Sequence, residues 1–115
     1  DEKITNILWK IIQTPITPEL KSNQTTEASL GKYEINDFIL YRFINCGDTK
    51  SRIKTMLIDL FSLTETKSKQ DIDNFFERFY ASQYKRQASA DGPKVFSIGL
   101  KANSDFLMNA DVKRK

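Results

Sequence analysis

The chain contains 115 residues, enough for about one domain of the usual ~100–200 residues, and 39% of them are hydrophobic. Eighteen Lys and Arg against fifteen Asp and Glu leave a net charge of +3, which by itself singles out neither nucleic acid nor an anionic membrane as a partner. Because Cys46 is the only cysteine and histidine is absent, an intrachain disulfide, a Cys/His zinc site and a histidine general base are excluded. No apolar run approaches the ~20 residues of a membrane-spanning helix and no signal-peptide pattern opens the chain, so we expect a soluble protein with no membrane partner.

An amphipathic helix is predicted at the start of the chain. Its apolar side chains recur every three or four residues, at Ile4, Ile7, Leu8, Ile11 and Ile12. Pro15 ends this helix, because proline cannot continue it. From Gln13 to about Gly31 the helical period is absent, and the polar run 22–26 favours a loop. A connection of this length is functional, disordered or packed against something outside the chain.

Two further amphipathic helices are predicted after Lys32. The apolar positions of the first are Ile35, Phe38, Ile39, Phe43 and Cys46, with the cysteine as a small core residue. Gly47 can end this helix in the left-handed conformation. Asp48 or Thr49 then caps the next helix. The apolar stripe of that helix is Ile53, Met56, Leu57, Leu60 and Phe61.

The fourth predicted helix is the most aromatic. We expect it to start near Ser68, with Asp71 three residues later as a variant of the capping box. Its apolar side is Ile72, Phe75, Phe76, Phe79, Tyr80 and Tyr84. Burying such side chains contributes roughly 1.5–3 kcal/mol each, so this helix should be central to the core.

A change of pattern follows Arg86. Residues 88–93 are typical of a turn, and the apolar stretch 95–100 predicts one short strand. A single strand leaves its backbone groups unpaired, so its partner would lie outside the chain. The predicted fold class is therefore mainly α, with about four amphipathic helices and a short extended C-terminal segment, in a single fragment spanning residues 1–115.

The most concentrated polar pattern is the run 82–86, directly after the aromatic helix, with a further cation at Lys94. Helical geometry places Arg78, Ser82 and Lys85 on one stripe, away from the aromatic face. Two cations at a helix end can hold a phosphate. The alternative is that Lys85 and Arg86 only interact favourably with the helix dipole.

The proline-rich segment 14–20 contains a second candidate. Two prolines stiffen the loop around Thr17 and can present its hydroxyl to a nucleotide, whereas the alternative is that they only end the first helix. The four glycines form no phosphate-binding loop, and the carboxylates are too scattered to predict a metal site. We therefore predict no catalytic residue and no metal ligand, and a self-contained nucleotide enzyme is not expected.

Five motifs occur in an order that is typical of one family. They are TPITPEL (14–20), QTTE (24–27), GKYEINDFILY (31–41), RFYASQYKR (78–86) and DGPKV (91–95). Together they resemble the C-terminal end of the glutamine-dependent NAD synthetases, and the stretch 79–95 is the most specific part.

This resemblance implies the C-terminal portion of an α/β synthetase domain of the PP-loop type, similar to the adenine nucleotide α-hydrolases. The family adenylylates the nicotinate carboxylate of deamido-NAD with ATP, and ammonia from glutamine then displaces AMP. The parent enzyme would need ATP and Mg²⁺, and its partners would be deamido-NAD, the rest of its chain and a second copy in a homo-oligomer. The family's nitrilase-like glutaminase domain and pyrophosphate loop are absent from the sequence, so the fragment alone should be inactive and hold no cofactor.

The resemblance also implies roles for individual residues. Lys85 matches the lysine that contacts deamido-NAD, and Thr17 matches the hydroxyl near ATP. Tyr84 stands where simpler ammonia-dependent relatives have histidine, and Tyr84 and Arg86 join Lys85 in the implied deamido-NAD site. The family pattern Ser-Pro-Arg-Gly-Asp-Trp is replaced by KANSDF at 101–106, so no role is implied for an arginine there.

Two other functions remain open from the sequence. One is a non-enzymatic helical module that binds nucleic acid through basic residues, namely Lys50, Arg52, Lys54, Lys67 and Lys69. The other is an interaction or oligomerisation module whose long loop and apolar faces dock on the rest of a parent protein or on a second copy.

Overall fold

The computed structural model describes residues 2–14 and 31–112, which belong to two compact units, 1–33 and 34–115. The described helices are α1 (Glu2–Ile12), α2 (Tyr33–Ile44), α3 (Lys50–Phe61), α4 (Glu65–Ala81) and α5 (Gln83–Ala88). Over these ranges no residue is in a β-strand, which confirms the prediction of a mainly α fold. None of the described helices has the length and apolar character needed to cross a membrane.

Helix α1 confirms the first predicted element. Glu2 in the first turn and Lys10 in the last turn both interact favourably with the helix dipole. Beyond Ile12, the amide of Gln13 donates to the carbonyl of Trp9 (2.9 Å), and the hydroxyl of Thr14 donates to the carbonyl of Lys10 (2.8 Å). The helix therefore ends at Ile12, within three residues of Pro15 in the sequence, as predicted.

The core of the second unit lies where α2, α3 and α4 meet. Its buried apolar side chains are Ile35 and Ile39 from α2, Ile53 and Leu57 from α3, and Ile72 and Phe76 from α4. The ring of Phe43 packs edge-on against Phe76, with the ring centroids 4.9 Å apart. The predicted central position of the aromatic helix is confirmed by this arrangement.

Two of the apolar positions predicted for α2 and α3 are exposed. Leu60 is 67% exposed, because Phe61 rather than Leu60 packs against Phe38, with ring centroids 5.4 Å apart. Cys46 is also exposed, because α2 ends at Ile44 and the cysteine lies in the turn that follows. The assignment of Cys46 as a core residue was therefore wrong.

The junction between α2 and α3 follows the sequence prediction. Gly47 has φ +66°, a left-handed conformation that costs glycine little. Thr49 caps α3, with its hydroxyl accepting a hydrogen bond from the amide of Arg52 (3.3 Å). Asp48 instead forms ion pairs with Arg42 (2.5 Å) and Arg52 (3.2 Å). Since Arg42 is on α2 and Arg52 on α3, the Asp48 carboxylate connects the two helices.

Helix α4 begins one turn earlier than predicted. Thr64 is its N-cap, and the threonine hydroxyl accepts a hydrogen bond from the amide of Lys67 (3.3 Å). The adjacent Glu65 adds a negative charge to the first turn. Ser68, the predicted cap, lies inside the helix and is fully buried, and Asp71 pairs with Lys67 (2.7 Å) rather than completing a capping box. An ion pair between Lys54 and Glu65 (2.9 Å) connects α3 to this first turn, and this contact lowers the pKa of Glu65.

The aromatic helix is interrupted at Ser82, which has φ −90° and ψ 4°. Because α5 starts a new helix, the phase of the side chains changes there. Gln83 is buried and Tyr84 is 55% exposed, so the placement of Tyr84 on the buried aromatic side was wrong. For the same reason Lys85 does not continue an unbroken stripe with Arg78.

The predicted strand at 95–100 is also wrong. These residues have no regular secondary structure, and two of them, Val95 and Phe96, are 79% and 78% exposed. No other strand occurs in the described part of the unit, so the segment has no ladder to join. The chain beyond this segment is held against α4 by Phe106, whose ring packs edge-on against Phe79 with 5.6 Å between the centroids.

We expect two leucines on α3 to differ sharply in their contribution to stability. Leu57→Ala removes a fully buried side chain and should lower the free energy of unfolding by about 2–5 kcal/mol. Leu60→Ala is the matched control on the same helix, and its cost should be below about 1 kcal/mol because the side chain is exposed. Urea denaturation of both variants measures the difference, and equal losses would contradict this core.

A second pair of variants tests the start of α4. Thr64→Ala removes the capping hydroxyl and should cost about 0.5–2 kcal/mol. Ser68→Ala should be neutral or slightly stabilising, because the buried Ser68 hydroxyl has no hydrogen-bond partner among the described residues. Thermal denaturation followed by circular dichroism separates the two. A larger loss for Ser68→Ala would place the cap where the sequence predicted it.

Candidate functional site

The candidate site is built on the corner between α4 and α5, where Arg86 folds back onto the end of α4. One Nη of its guanidinium donates to the carbonyl of Phe79 (2.5 Å). In an unbroken helix that carbonyl would accept from the amide of Gln83, so the Arg86 side chain supplies the donor that the break removes. The guanidinium carbon also lies 4.3 Å from the centroid of the Phe79 ring, within cation–π distance.

Gln83 holds Arg86 from the other side. Its side chain is fully buried, and its Oε1 accepts a hydrogen bond from Nε of Arg86 (3.0 Å). Its Nε2 donates to the carbonyl of Met108 (2.9 Å), and the side chain of Gln87 donates to the same carbonyl (2.7 Å). Gln83 therefore connects the arginine to the C-terminal segment. Nothing in the sequence pattern marked this glutamine as different from an ordinary polar residue.

The electrostatic setting of Arg86 is unusual for a charged side chain. It is half-buried, and no carboxylate of the described residues lies within ion-pair distance. Burial lowers the pKa of Arg86, but an arginine keeps its charge at neutral pH. The corner therefore contains a partly desolvated cation whose partners are neutral oxygens and an aromatic ring.

Lys85 and Tyr84 lie on the exposed side of α5. Tyr84 is 55% exposed, and Nζ of Lys85 is 5.9 Å from the centroid of its ring. A cation beside an accessible aromatic face can contact both an anionic group and a flat ring of one ligand. The three predicted deamido-NAD residues are thus adjacent in sequence but differ in setting, with Lys85 and Tyr84 outward and Arg86 inward. Thr17, the predicted ATP-binding residue, lies outside the described residues.

A cleft of about 520 Å³ opens beside this corner, between the end of α5 and the segment that follows. Its charged lining residues are Arg86, Asp91, Lys94, Lys101 and Asp105. Lys94 pairs with Asp105 (2.9 Å) and Lys101 pairs with Asp91 (2.9 Å). Lys94, the further cation of the sequence pattern, therefore already has a carboxylate partner. Lys85 is not among the residues that line the cleft.

Other sites considered from the sequence receive less support from the described residues. Among these residues no three His, Cys, Asp or Glu side chains come together as metal ligands. Four of the five basic residues of the nucleic-acid alternative make contacts within the fold. Arg52 pairs with Asp48, Lys54 with Glu65 and Lys67 with Asp71, while Lys50 lies 4.6 Å from the centroid of the Phe76 ring.

Comparison with curated proteins finds relatives of one kind. The glutamine-dependent NAD(+) synthetase of Mycobacterium leprae is 28% identical, in an alignment that covers 100% of this chain and 21% of the relative. The enzyme of the same name from Mycobacterium tuberculosis H37Rv is also 28% identical, over 99% of this chain and 20% of the relative. That of Xanthomonas campestris pv. campestris is 27% identical, over 74% of this chain and 14% of the relative.

The chain is similar to one segment of the glutamine-dependent NAD(+) synthetases. The resemblance predicted from the motifs is thereby confirmed, and this chain spans about one fifth of the length of the mycobacterial relatives. No family model matches the chain, and no solved structure matches it significantly.

We expect the two glutamines that bind the Met108 carbonyl to differ in importance. Gln83→Ala leaves a cavity and removes the acceptor for Nε of Arg86, so it should cost about 1–3 kcal/mol and increase amide exchange around Met108. Gln87→Ala removes a donor to the same carbonyl from an exposed side chain and should cost less than about 1 kcal/mol. Hydrogen exchange measured by mass spectrometry reports both effects. Equal protection of the amides around Met108 from exchange in the two variants would show that Gln83 does not anchor the C-terminal segment.

Proposed function

We propose that this chain is the C-terminal part of the synthetase domain of a glutamine-dependent NAD(+) synthetase, and that it supplies substrate-binding residues. The observation that carries the proposal is similarity to these synthetases along the whole chain, including the segment with Lys85. The parent domain would be an α/β domain of the PP-loop type, and the helices described above would be its last elements. The catalytic centre, the glutaminase domain and the pyrophosphate loop would belong to other parts of the parent.

The proposed reaction has two steps. The nicotinate carboxylate of deamido-NAD attacks the α-phosphorus of ATP, and pyrophosphate leaves. Ammonia, released from glutamine elsewhere in the parent, then attacks the activated carbonyl carbon, and AMP leaves as the amide forms. In this scheme the residues of the present chain bind and orient the dinucleotide and take no part in bond making. We therefore expect the fragment alone to make no NAD.

Lys85 is the residue on which the substrate-binding proposal rests most directly. Its exposed position on α5 allows the ammonium group to meet an anionic group of deamido-NAD, either the carboxylate or the pyrophosphate. Such a charge-assisted contact contributes roughly 1.5–3 kcal/mol. Tyr84, whose ring lies beside the Lys85 ammonium, offers a stacking surface to a base or to the nicotinate ring. Arg86 would contribute positive charge from the inner side of α5.

The other components are proposed from the same similarity. ATP and Mg²⁺ would act in the parent enzyme, with Thr17 as a candidate contact to ATP. We propose no residue of this chain as a ligand of Mg²⁺. The protein partners would be the rest of the parent chain and a second copy, in a cytoplasmic homo-oligomer.

The experiment that tests the proposal measures NAD formation by the intact parent protein. With ATP and glutamine saturating, Lys85→Ala should raise the concentration of deamido-NAD needed for half-maximal rate by roughly tenfold or more, because a charge-assisted contact is lost. Glutamine hydrolysis, followed in parallel, should persist, since the glutaminase domain is separate.

Lys69→Ala is the matched control, because it removes one positive charge from the exposed face of α4. Equal effects of Lys85→Ala and Lys69→Ala on the deamido-NAD dependence would show that Lys85 acts only through the net charge of the protein. An unchanged deamido-NAD dependence in Lys85→Ala would remove its site assignment. A wild-type parent that makes no NAD would overturn the family proposal itself.

A further inference from the structure

The cleft beside α5 has the size of a small-molecule site, and its lining is part apolar and part charged. Its volume of about 520 Å³ lies within the range of roughly 300–1,000 Å³ that such sites occupy. Apolar side chains line part of it, including the well-exposed Val95 and Phe96. An apolar body of a ligand would therefore find contact surface here, and covering these side chains would favour binding.

The charges in the cleft do not cancel. Two lysines and two aspartates form the pairs Lys94–Asp105 and Lys101–Asp91, each 2.9 Å long. Arg86, the fifth charged residue of the lining, has no carboxylate partner among the described residues. The cleft thus keeps one net positive charge, and that charge is on a side chain that the fold holds in place.

The orientation of Arg86 leaves donors for a ligand. Its hydrogen bonds to the Phe79 carbonyl and to Gln83 use two of the five N–H groups of a guanidinium, so within the described contacts three remain. The planar arrangement of these groups suits the two oxygens of a carboxylate or phosphate. Because Gln83 and Phe79 already restrict the side chain, a ligand would lose little further rotamer freedom from it.

We infer that the cleft between α5 and residues 89–105 binds a small organic anion, with its carboxylate or phosphate on Arg86 and its apolar body against the Val95–Phe96 stretch. Gln83 is the positioning residue, because it orients the Arg86 guanidinium without lining the cleft. This inference does not rest on the proposed ligase activity. The site shares Arg86 with the proposed deamido-NAD site but does not include Lys85 or Tyr84, and its occupancy is measurable on the 115-residue chain.

The test uses four probes that separate the two parts of the ligand. Phenyl phosphate and benzoate carry the two anionic groups on the same ring, inorganic phosphate lacks the ring, and benzamide lacks the charge. Titrations followed by NMR should show saturable binding of phenyl phosphate, benzoate or both, with shifts in residues 86–105. Inorganic phosphate and benzamide should each bind roughly tenfold more weakly than whichever of phenyl phosphate and benzoate binds more tightly.

Two substitutions should move the affinity in opposite directions. Arg86→Gln should weaken binding of the better probe by roughly tenfold or more. Asp105→Asn removes the partner of Lys94 and raises the net charge of the cleft, so it should tighten binding several-fold. A folding defect cannot account for tighter binding, so this variant tests the inference even if Arg86→Gln is unstable. Lys69→Gln, with the same loss of charge on α4, should leave the affinity unchanged.

Several results would overturn the inference. They are an absence of saturable binding of both aromatic anions to the wild-type chain, equal affinity of benzamide, or weakening by Lys69→Gln as large as that by Arg86→Gln. Unchanged or weaker binding to Asp105→Asn would also overturn it. These measurements need no NAD formation. A lack of anion binding therefore does not contradict the ligase proposal, and a parent protein without NAD synthetase activity does not contradict anion binding in the cleft.

Discussion

The C-terminal part of the second unit is organised by the contact between Arg86 and the end of α4. The α-helical hydrogen bonding is interrupted at Ser82, and the Phe79 carbonyl needs a donor that the backbone no longer supplies. Arg86 supplies it, at 2.5 Å, and stacks on the Phe79 ring. The same corner fixes Gln83, which reaches the Met108 carbonyl and so holds the C-terminal segment. The Arg86 guanidinium thus donates to the free carbonyl at the end of α4 and also lines the cleft.

The aromatic side chains determine where this corner can lie. Phe79 contacts Phe43 from α2 and Phe106 from the C-terminal segment, with centroid separations of 5.6 Å in both pairs. Such edge-on contacts contribute about 0.5–1.5 kcal/mol each beyond the area that they bury. Phe79 is therefore both a core residue and the surface on which Arg86 rests. The Phe79 ring takes part both in core packing and in the cation–π contact, so a substitution that shifts this ring would also displace the Arg86 guanidinium.

Most of the other charges in the described unit are balanced locally. Asp48 connects α2 to α3, Lys54 and Glu65 connect α3 to α4, and two lysine–aspartate pairs line the cleft. The Lys54–Glu65 pair and the two cleft pairs are partly exposed and contribute little stability, roughly 0–1 kcal/mol each. Basic side chains paired in this way also offer less charge to a polyanion. Arg86 differs because its contacts are with neutral groups, and Lys85 differs because its ammonium faces solvent.

The amino-acid sequence by itself determined helices α1 to α4, the left-handed Gly47 after α2, a cap of α3 at Asp48 or Thr49, and the resemblance to the NAD(+) synthetases, because periodicity, capping chemistry and motifs are local properties. Only the tertiary structure decided the details that depend on distant contacts. With Thr64 as the N-cap of α4, Ser68 lies inside the helix and is buried, and the break at Ser82 turns Tyr84 outward and Gln83 inward. The apolar stretch 95–100 formed no strand, because strand formation requires a partner and the described unit contains none.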